Sequence, residues 1–462
     1  MRRLLFAIFL LGSLPVAALD RFQVEGYALP NGLQLLLKPG ADREHVAIRL
    51  VVGVGLDDFS CDEKELPHLL EHLLFSGVDD GGEGGLEERM QALGGEWNAF
   101  TSNADTTFVI EAPARNQRKV LDLLLALLTR TRIDDKALEA AKRVVEREDG
   151  GHYTHLQRWL DRQDLGHKAG RQLATELGLR CAERPEVGPL TLARIKQVRK
   201  AWYAPNNMTL IMVGDLDRLL PAYLERTYGA LEPVEPSAHP PLPQIRYGAV
   251  TKRNLMQGLV GNGAKLHWFF PEPVLEQQHD ETLELLKEYL DWALYRRLRL
   301  EHGLSYGPWV EREVWGGIGF VSLNADLARE DVARAEQALE SLRNDLLRDG
   351  LDPDSFNRIK RATLAHQSWA VQGNSAMADY YWSALGDYED GRFTNPAVRL
   401  QAVSLEQTDQ ALRQLLKNPG YLRIEKPLLS DDELVWALAG LLALLLLLAG
   451  WRLRRKARPS TP

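Results

Sequence analysis

The sequence predicts an α+β protein made of two duplicated domains, each with an antiparallel-rich sheet packed with helices, followed by a transmembrane helix. Three observations predict this architecture. Strand-like and helical segments alternate in a similar order on both sides of a proline-rich stretch at residues 230–247. The 462 residues, 45% hydrophobic and 26% charged, suit a chain of two or more domains. An uncharged apolar run lies near the C-terminus.

Residues 1–18 have the pattern of a secretory signal peptide. A basic start at residues 1–3 precedes an apolar stretch at residues 4–14, which is too short to span a bilayer. Small residues at 16–18 then predict cleavage after Ala18. An uncleaved amino-terminal anchor is the alternative, and the short apolar stretch disfavours it.

The first domain is predicted to cover residues 19–229. Its strands are expected in "LPNGLQLLLK", which has a turn signal before an apolar run, and in the β-branched "HVAIRLVVGVG". Apolar periodicity predicts helices in "GLEERMQALGG" and "NQRKVLDLLLALLTRT". Between these two helices, "WNAFTSNADTTFVIEA" is strand-like.

The proline-rich residues 230–247 predict an extended linker, and residues 248–429 form the predicted second domain. That domain has a strand around "AKLHWFF", a helix from about Asp280 to His302, a strand in "GIGFVSLNA" and then long helices. The repeated order of elements is the basis for predicting a duplication.

Residues 434–451 predict a membrane-spanning helix. The run is close to the length of about 20 residues that a span needs, and Trp436 and Trp451 lie near its ends as interfacial anchors do. The basic residues 452–462 predict a cytoplasmic tail, which places the body on the other side of the membrane. A buried core helix is the alternative. With the short signal peptide, this topology favours a bacterial inner membrane and a periplasmic body, although a eukaryotic secretory membrane fits similar signals.

Charge and cysteine content set further limits. A net charge of −8 and scattered basic residues disfavour nucleic acid as a partner. Cys61 and Cys181 could pair in an oxidising compartment, but two cysteines far apart in sequence do not establish a disulfide.

A chemical motif stands out in "LPHLLEHLLF", residues 66–75. On a helix, His68 and His72 lie one turn apart on one face, with Glu71 beside that face. This is the inverted zinc-peptidase pattern H-x-x-E-H, in which two histidines bind Zn²⁺ and the glutamate acts on water. Solvated or hydrogen-bonded helical histidines are the ordinary alternative.

A third metal ligand is expected at Glu148, because tetrahedral catalytic zinc takes three protein ligands. Residues 133–149 predict a helix in which Glu148 falls within an apolar arc formed by Ala137, Leu138, Ala141, Val144 and Val145. A carboxylate pointing into a core needs a positive partner such as zinc. Glu146 lies on the charged arc, and a frayed helix end is the alternative for Glu148.

Several segments together resemble the pitrilysin and insulinase family of zinc metallopeptidases, which includes the mitochondrial processing peptidases. They are "LPNGLQLLL", "HLLEHLLFSG", "GGEWNAFTSNADTTFVIEAP", "LTLARIKQVRKAWYAPNNMTLIMVGDLD" and "LRLEHGLSYGPWV". Glu148 lies 76 residues after His72, close to the family's spacing for the third ligand. The resemblance covers nearly the whole body between the two terminal segments.

The resemblance implies a zinc metalloendopeptidase that cuts peptides or exported proteins, and the predicted span at residues 434–451 would anchor it in the membrane. It implies Zn²⁺ on His68, His72 and Glu148 with Glu71 as the general base. It also implies that Asn98 lies on the edge strand that receives substrate. In the same way, Arg299 and Tyr306 are implied to bind substrate. A turn residue at Asn98 and ordinary structural roles for Arg299 and Tyr306 are the alternatives.

Size and departures from the family pattern qualify these expectations. The chain corresponds to one half of a clamshell, which implies a dimer in which Arg299 and Tyr306 serve the opposite subunit. A homodimer is favoured, and a heterodimer with a related subunit remains open. Ala141 stands where the family has a second glutamate, and Glu65 and Pro67 replace small residues. A catalytically weak scaffold subunit is therefore the alternative function.

Overall fold

The computed structural model describes residues 20–75, 83–148, 168–182, 185–246, 248–276 and 279–456. The predicted signal peptide, residues 1–18, lies outside this part. Within it, two mixed sheets are each covered by helices, so the predicted α+β architecture with two domains is confirmed.

The first domain contains a six-stranded sheet and seven helices among its described residues. Its strands are β1 (Glu25–Ala28), β2 (Gln34–Pro39), β3 (His45–Val52), β4 (Glu96–Thr101), β5 (Thr106–Pro113) and β6 (Met208–Gly214). Its helices are α1 (Leu66–Phe75), α2 (Glu83–Ala92), α3 (Gln117–Arg130), α4 (Asp135–Glu148), α5 (Ala169–Glu176), α6 (Leu192–Trp202) and α7 (Leu220–Thr227).

The second domain contains a five-stranded sheet and a small hairpin. The strands are β7 (Lys252–Met256), β8 (Gly263–Pro271), β9 (Trp309–Trp315), β10 (Ile318–Ala328), β11 (Tyr388–Glu389), β12 (Arg392–Phe393) and β13 (Tyr421–Lys426). The helices are α8 (His279–Tyr295), α9 (Val332–Asp349), α10 (Pro353–Ala370), α11 (Gly373–Ser383), α12 (Pro396–Ala402) and α13 (Leu405–Lys417), followed by the C-terminal α14 (Asp431–Lys456).

One predicted helix differs in detail from the structure. The helix expected to run to about His302 is α-helical only to Tyr295, and Arg296–Glu301 form a π-helical turn. Such turns widen a helix locally and often accompany functional residues. This turn contains Arg299.

The two sheets share one strand order. Without β1, the first reads β2-β6-β3-β5-β4 and the second reads β7-β13-β8-β10-β9. In each of these orders the first two strands, β2 with β6 and β7 with β13, pair in parallel, and the other neighbours are antiparallel. The same connectivity occurring twice is what a duplicated domain produces.

One helix of each domain packs against the sheet of the other domain. Leu173 and Leu177, in and after α5 of the first domain, pack with Phe269 and Phe320 of the second sheet. On the opposite side, α11 of the second domain packs against the first sheet, where Tyr381 joins an apolar cluster with strands β2, β3 and β6. The two domains therefore share their cores across the boundary.

A buried arginine marks each of these crossings. Arg423 on β13 has no exposed surface and donates hydrogen bonds to Gln172 Oε1 at 2.6 Å and Glu176 Oε2 at 2.9 Å, both on α5. Arg49 on β3 donates to Asp379 Oδ1 on α11 at 2.7 Å. Buried charges are stable only when they are paired in this way, so each arginine ties a sheet to the exchanged helix.

The predicted linker follows the surface without helix or strand between residues 231 and 246. Asn206 Nδ2 donates to the Val234 carbonyl at 2.7 Å, and Arg246 N donates to the Leu177 carbonyl at 2.8 Å. These contacts attach the linker to the first domain.

The segment that leads into α1 is held from two directions. Cys61 and Cys181 form a disulfide whose Cα atoms are 5.7 Å apart, which closes a separation of 120 residues. Arg194 on α6 donates to both carboxylate oxygens of Glu63, at 2.7 and 2.8 Å. The start of α1 is therefore fixed to two distant parts of the first domain.

Loss of the disulfide should lower the free energy of unfolding by about 3 kcal/mol, because a cross-link over a long loop restricts the unfolded chain. The measurement is urea unfolding of the purified full-length chain carrying Cys61→Ser and Cys181→Ser. Wild-type protein in excess dithiothreitol is the matched control and should reach the same midpoint. An unchanged midpoint in both samples would show that the bond contributes nothing to stability.

Candidate metal centre

Three side chains from two helices converge at one point beside the first sheet. His68 Nε2 and His72 Nε2, both on α1, are 3.2 Å apart. Each of these nitrogens is 3.2 Å from Oε2 of Glu148, the last residue of α4. The arrangement follows from the four-residue spacing on α1 and from the packing of α4 alongside it.

The geometry fits a small tetrahedral metal ion. Ligands at about 2.0–2.1 Å from a tetrahedral zinc lie about 3.4 Å from one another, close to the separations observed here. Two imidazoles and a carboxylate are also a donor set that catalytic zinc accepts, with a fourth position left for water or substrate. These residues could therefore hold zinc.

The structure corrects the reasoning that led to Glu148. Its side chain was expected to point into the core, but it is 49% exposed, because α4 leaves the core after Val145. Lys142, a charged residue of the same helix, is buried. Its Nζ donates to Glu139 Oε1 at 3.0 Å and to the Gly188 carbonyl at 2.9 Å, which compensates the buried charge.

Glu71 lies next to the three converging residues in a protected position. It is 7% exposed, and Thr101 Oγ1 on β4 donates a hydrogen bond to its Oε2 at 2.7 Å. Burial raises the pKa of the Glu71 carboxyl, while the Thr101 hydroxyl and the two imidazoles oppose that rise only in part. A carboxylate with a raised pKa is a stronger base, which suits proton transfer near neutral pH.

Glu65 is a site residue for which the sequence did not suggest a role. Its Oε2 lies 3.0 Å from His68 Nδ1, the ring nitrogen that points away from Glu148. Burial alone would lower the pKa of His68, but the hydrogen bond and charge of Glu65, with Glu71 and Glu148, raise it overall. A carboxylate on the second ring nitrogen fixes the tautomer and orientation of a metal-binding histidine.

The local spacing of the sequence could have predicted the contacts that Glu65 and Thr101 make. Glu65 lies three residues before His68 and directly precedes α1, where its carbonyl accepts a hydrogen bond from Leu69 N at 2.9 Å, so its side chain is close to the face that carries His68. Thr101 alternates with exposed Asn98 and Phe100 along β4, so its side chain lies on the inner face of the strand towards α1. A hydroxyl on that face is within reach of the carboxylate on α1.

Asn98 lies on β4, which is an edge strand that pairs only with β5 in the part of the chain that the structure describes. Its side chain is exposed, and its Oδ1 accepts a hydrogen bond from Ala99 N at 2.9 Å. The outer backbone groups of an edge strand are free to pair with an added strand. Asn98 therefore lies on an edge strand, as expected, while its role in substrate binding stays a prediction.

Arg299 and Tyr306 form a unit separate from the converging histidines. The Arg299 guanidinium lies over the Tyr306 ring at 4.1 Å from its centroid and also donates to the Tyr306 carbonyl. Tyr306 is 83% exposed. Among the described residues, no hydrogen bond or ion pair joins this pair to His68, His72 or Glu148. Within one chain, the structure does not bring the two groups together.

Comparison with protein families matches two stretches of the chain to models of one peptidase family. Residues 36–172 match the model described as Insulinase (Peptidase family M16), and residues 189–363 match the model described as Peptidase M16 inactive domain. Together the two matches cover more than half of the chain.

Individual relatives are distant and of different lengths. The protein named "Uncharacterized zinc protease YmxG" of Bacillus subtilis is 20% identical over 87% of this chain and 98% of its own. The "Probable zinc protease PqqL" of Haemophilus influenzae is 27% identical over 41% of this chain, and the match spans only 21% of that longer protein. The crystal structure of the periplasmic protease PqqL from Escherichia coli has a TM-score of 0.68 at 19% identity, covering 87% of this chain and 47% of that one.

Replacement of Glu65 by glutamine should lower the pKa of His68 in metal-free protein, because the hydrogen bond and charge of Glu65 help to raise it. The pKa can be measured by NMR titration of the imidazole nitrogens. Asp62→Asn, which removes one exposed acidic charge near the same segment, is the control and should leave His68 unchanged. Equal shifts in the two variants would show that general charge, and not the Glu65 contact, sets the pKa.

Proposed function

Because the chain belongs to the insulinase family of peptidases, family M16, we propose that it is a zinc-dependent endopeptidase acting on peptides or exported proteins. One observation carries the proposal. Two imidazole nitrogens and one carboxylate oxygen lie within 3.2 Å of one another. A buried carboxylate, Glu71, adjoins them.

The residues of the chain divide the chemistry between them. His68, His72 and Glu148 would hold zinc, which supplies Lewis acidity toward the peptide carbonyl and makes water nucleophilic near neutral pH. Glu71 accepts the proton that the water loses when its oxygen bonds to the carbonyl carbon. It then gives that proton to the amide nitrogen as the carbon–nitrogen bond breaks. The hydrogen bond from Thr101 holds one oxygen of Glu71, which keeps the carboxylate oriented through both transfers.

The substrate is proposed to bind as an added strand along β4. An extended peptide would pair with the free backbone groups of this edge, and Asn98 would contact it from the strand itself. Such pairing depends on the peptide backbone, so it selects extended or unfolded segments more than particular side chains. Thr101 lies at the end of the same strand and touches Glu71, which brings the bound peptide to the catalytic carboxylate.

The proposed active form is a dimer, because among the described residues Arg299 and Tyr306 make no hydrogen bond or ion pair to the metal centre of their own chain. Two copies would enclose the substrate, and each would present Arg299 and Tyr306 to the metal centre of the other. The exposure of Tyr306 and its stacking with Arg299 support this role, since the pair is available for an outside contact. A heterodimer with a related subunit is the alternative assembly.

The C-terminal helix α14 is proposed to cross a bacterial inner membrane. The helical segment 431–452 is long and apolar enough to do so. None of its most apolar 18-residue stretch is buried against the rest of the described chain. The acidic first turn would lie on the periplasmic side with the peptidase body, and the basic tail would lie in the cytoplasm. The periplasmic location of the E. coli PqqL protease agrees with this side of the membrane.

The Glu71→Gln variant should retain zinc and lose cleavage by about 10²- to 10⁴-fold, because glutamine keeps the shape of the side chain but cannot accept the proton. The measurement combines zinc content with cleavage of a quenched-peptide library by the full-length protein.

Glu88→Gln is the matched control, since Glu88 is an exposed carboxylate on the neighbouring helix α2, and it should leave cleavage unchanged. Zinc-free wild-type protein that folds normally and cuts nothing would contradict the proposal. It would favour the scaffold alternative.

The Glu65→Gln variant should bind zinc about 10- to 100-fold more weakly, because the ring of His68 loses the carboxylate that orients it. Competition with a chromophoric chelator measures this affinity without using catalysis. Asp62→Asn again removes one acidic charge without the contact and should bind zinc normally. Normal affinity in Glu65→Gln would show that the ring is held well enough by its packing.

A further inference from the structure

The C-terminal helix begins in a network of hydrogen bonds to the second domain. Asn262 Nδ2 donates to Asp431 Oδ2 at 2.8 Å, and Asp431 N donates to Asn262 Oδ1 at 3.1 Å. Arg329, after β10, pairs with Glu433 in the first turn of α14 and donates to the Leu428 carbonyl at 3.2 Å. The first turn of the helix is therefore bound to residues before β8 and after β10.

The helix start is also capped locally. Ser430 Oγ accepts a hydrogen bond from Glu433 N at 3.0 Å, and Ser430 N donates to Glu433 Oε2 at 2.8 Å. This reciprocal pair is a capping box, which fixes the direction in which the chain enters a helix.

Backbone hydrogen bonds continue the sheet almost to the helix. Beyond β7 and β13, Gln257 N donates to the Lys426 carbonyl at 2.9 Å, and Leu429 N donates to the Leu259 carbonyl at 2.9 Å. Gly261 N then donates to the Leu429 carbonyl at 3.0 Å. The connection between the peptidase body and the helix is thus a paired extension of the sheet and not a flexible stalk.

Apolar side chains are exposed at this same junction. Leu259 is 67% exposed, Leu428 is 56% exposed and Val260 is 40% exposed. Helix rise places the start of the apolar run, Leu434, about 6 Å beyond Ser430. The headgroup region on each side of a bilayer is about 5–7 Å thick, so a helix embedded from Leu434 brings the junction to the lipid surface.

We propose that Leu259, Val260 and Leu428 form a membrane-contact face that enters the headgroup layer of the bilayer crossed by α14. This inference rests on the proposed membrane span, because the span brings the face to the lipid. Lipid is the occupant that the chain's own continuity favours: the exposed residues pair directly with the segment that leads into the helix. Burial of leucine and valine in the interface is favourable, whereas exposure to water at this site gains nothing.

The consequence is a peptidase body held in one orientation on the membrane. A capped helix, an ion pair and a continuous sheet leave little freedom at the junction, and the membrane-contact face adds a second attachment beside the helix. Two attachments prevent the body from tilting freely about the point where the helix enters the bilayer.

Site-directed labelling of the full-length protein tests this proposal. Both native cysteines are in the disulfide, so one added cysteine carries a single fluorophore. The variants are Leu259→Cys, Val274→Cys and Leu444→Cys, each placed in nanodiscs of phosphatidylcholine and phosphatidylglycerol with or without lipids that carry a nitroxide near the headgroup or along the acyl chain. Val274 is the matched control, because it is 92% exposed and follows the opposite end of β8.

Labels at Leu259 and Leu444 should both be quenched by nitroxide lipids at least several-fold more than the label at Val274. Quenching at Leu444 with Leu259 indistinguishable from Val274 would overturn the membrane-contact face and leave the span intact. Shielding of Leu259 from aqueous iodide without lipid quenching would assign the face to a protein partner and also overturn the proposal. No quenching at Leu444 would refute the membrane span itself.

Discussion

The packing of α1 is the constraint on which the candidate metal centre depends. Five leucines of this helix have no exposed surface; they are Leu66, Leu69, Leu70, Leu73 and Leu74. Because they fix the rotation of the helix against the sheet and its neighbouring helices, the remaining polar positions can face in only one direction. That direction is toward α4 and β4, which supply Glu148 and Thr101. Apolar packing of α1 therefore sets the positions of the candidate metal ligands, and the histidines need only their four-residue spacing along the helix.

The segment just before α1 is also held in place by contacts to distant parts of the first domain. The disulfide at Cys61 and the paired oxygens of Glu63 hold the turn just before the helix, and Glu65 follows immediately with its contact to His68. The family pattern has a second glutamate where this chain has Ala141, which is buried. In this chain, Glu65 supplies the carboxylate that contacts Nδ1 of His68.

Sequence reasoning succeeded where the deciding information is local. His68 and His72 are one helical turn apart, so their convergence follows from the helix alone. The order of strands and helices in each half could also be predicted from the sequence. Glu148 was identified, but its expected burial was wrong because helix periodicity does not show where a helix leaves the core. The disulfide could not be decided, because the distance between two cysteines far apart in sequence depends on the whole fold. The packing of α5 on the second sheet and of α11 on the first could not be predicted either, because nothing in a short amphipathic helix specifies which of two similar sheets it covers.

That exchange has a consequence for how the protein is made. One face of the first sheet is covered in part by α11, Gly373–Ser383, which is synthesised long after β6 has ended at Gly214. During synthesis the chain therefore passes through an interval in which the first sheet exposes an apolar face and Arg49 does not yet have Asp379 as a partner. The first sheet is therefore completed only after most of the second domain has been synthesised.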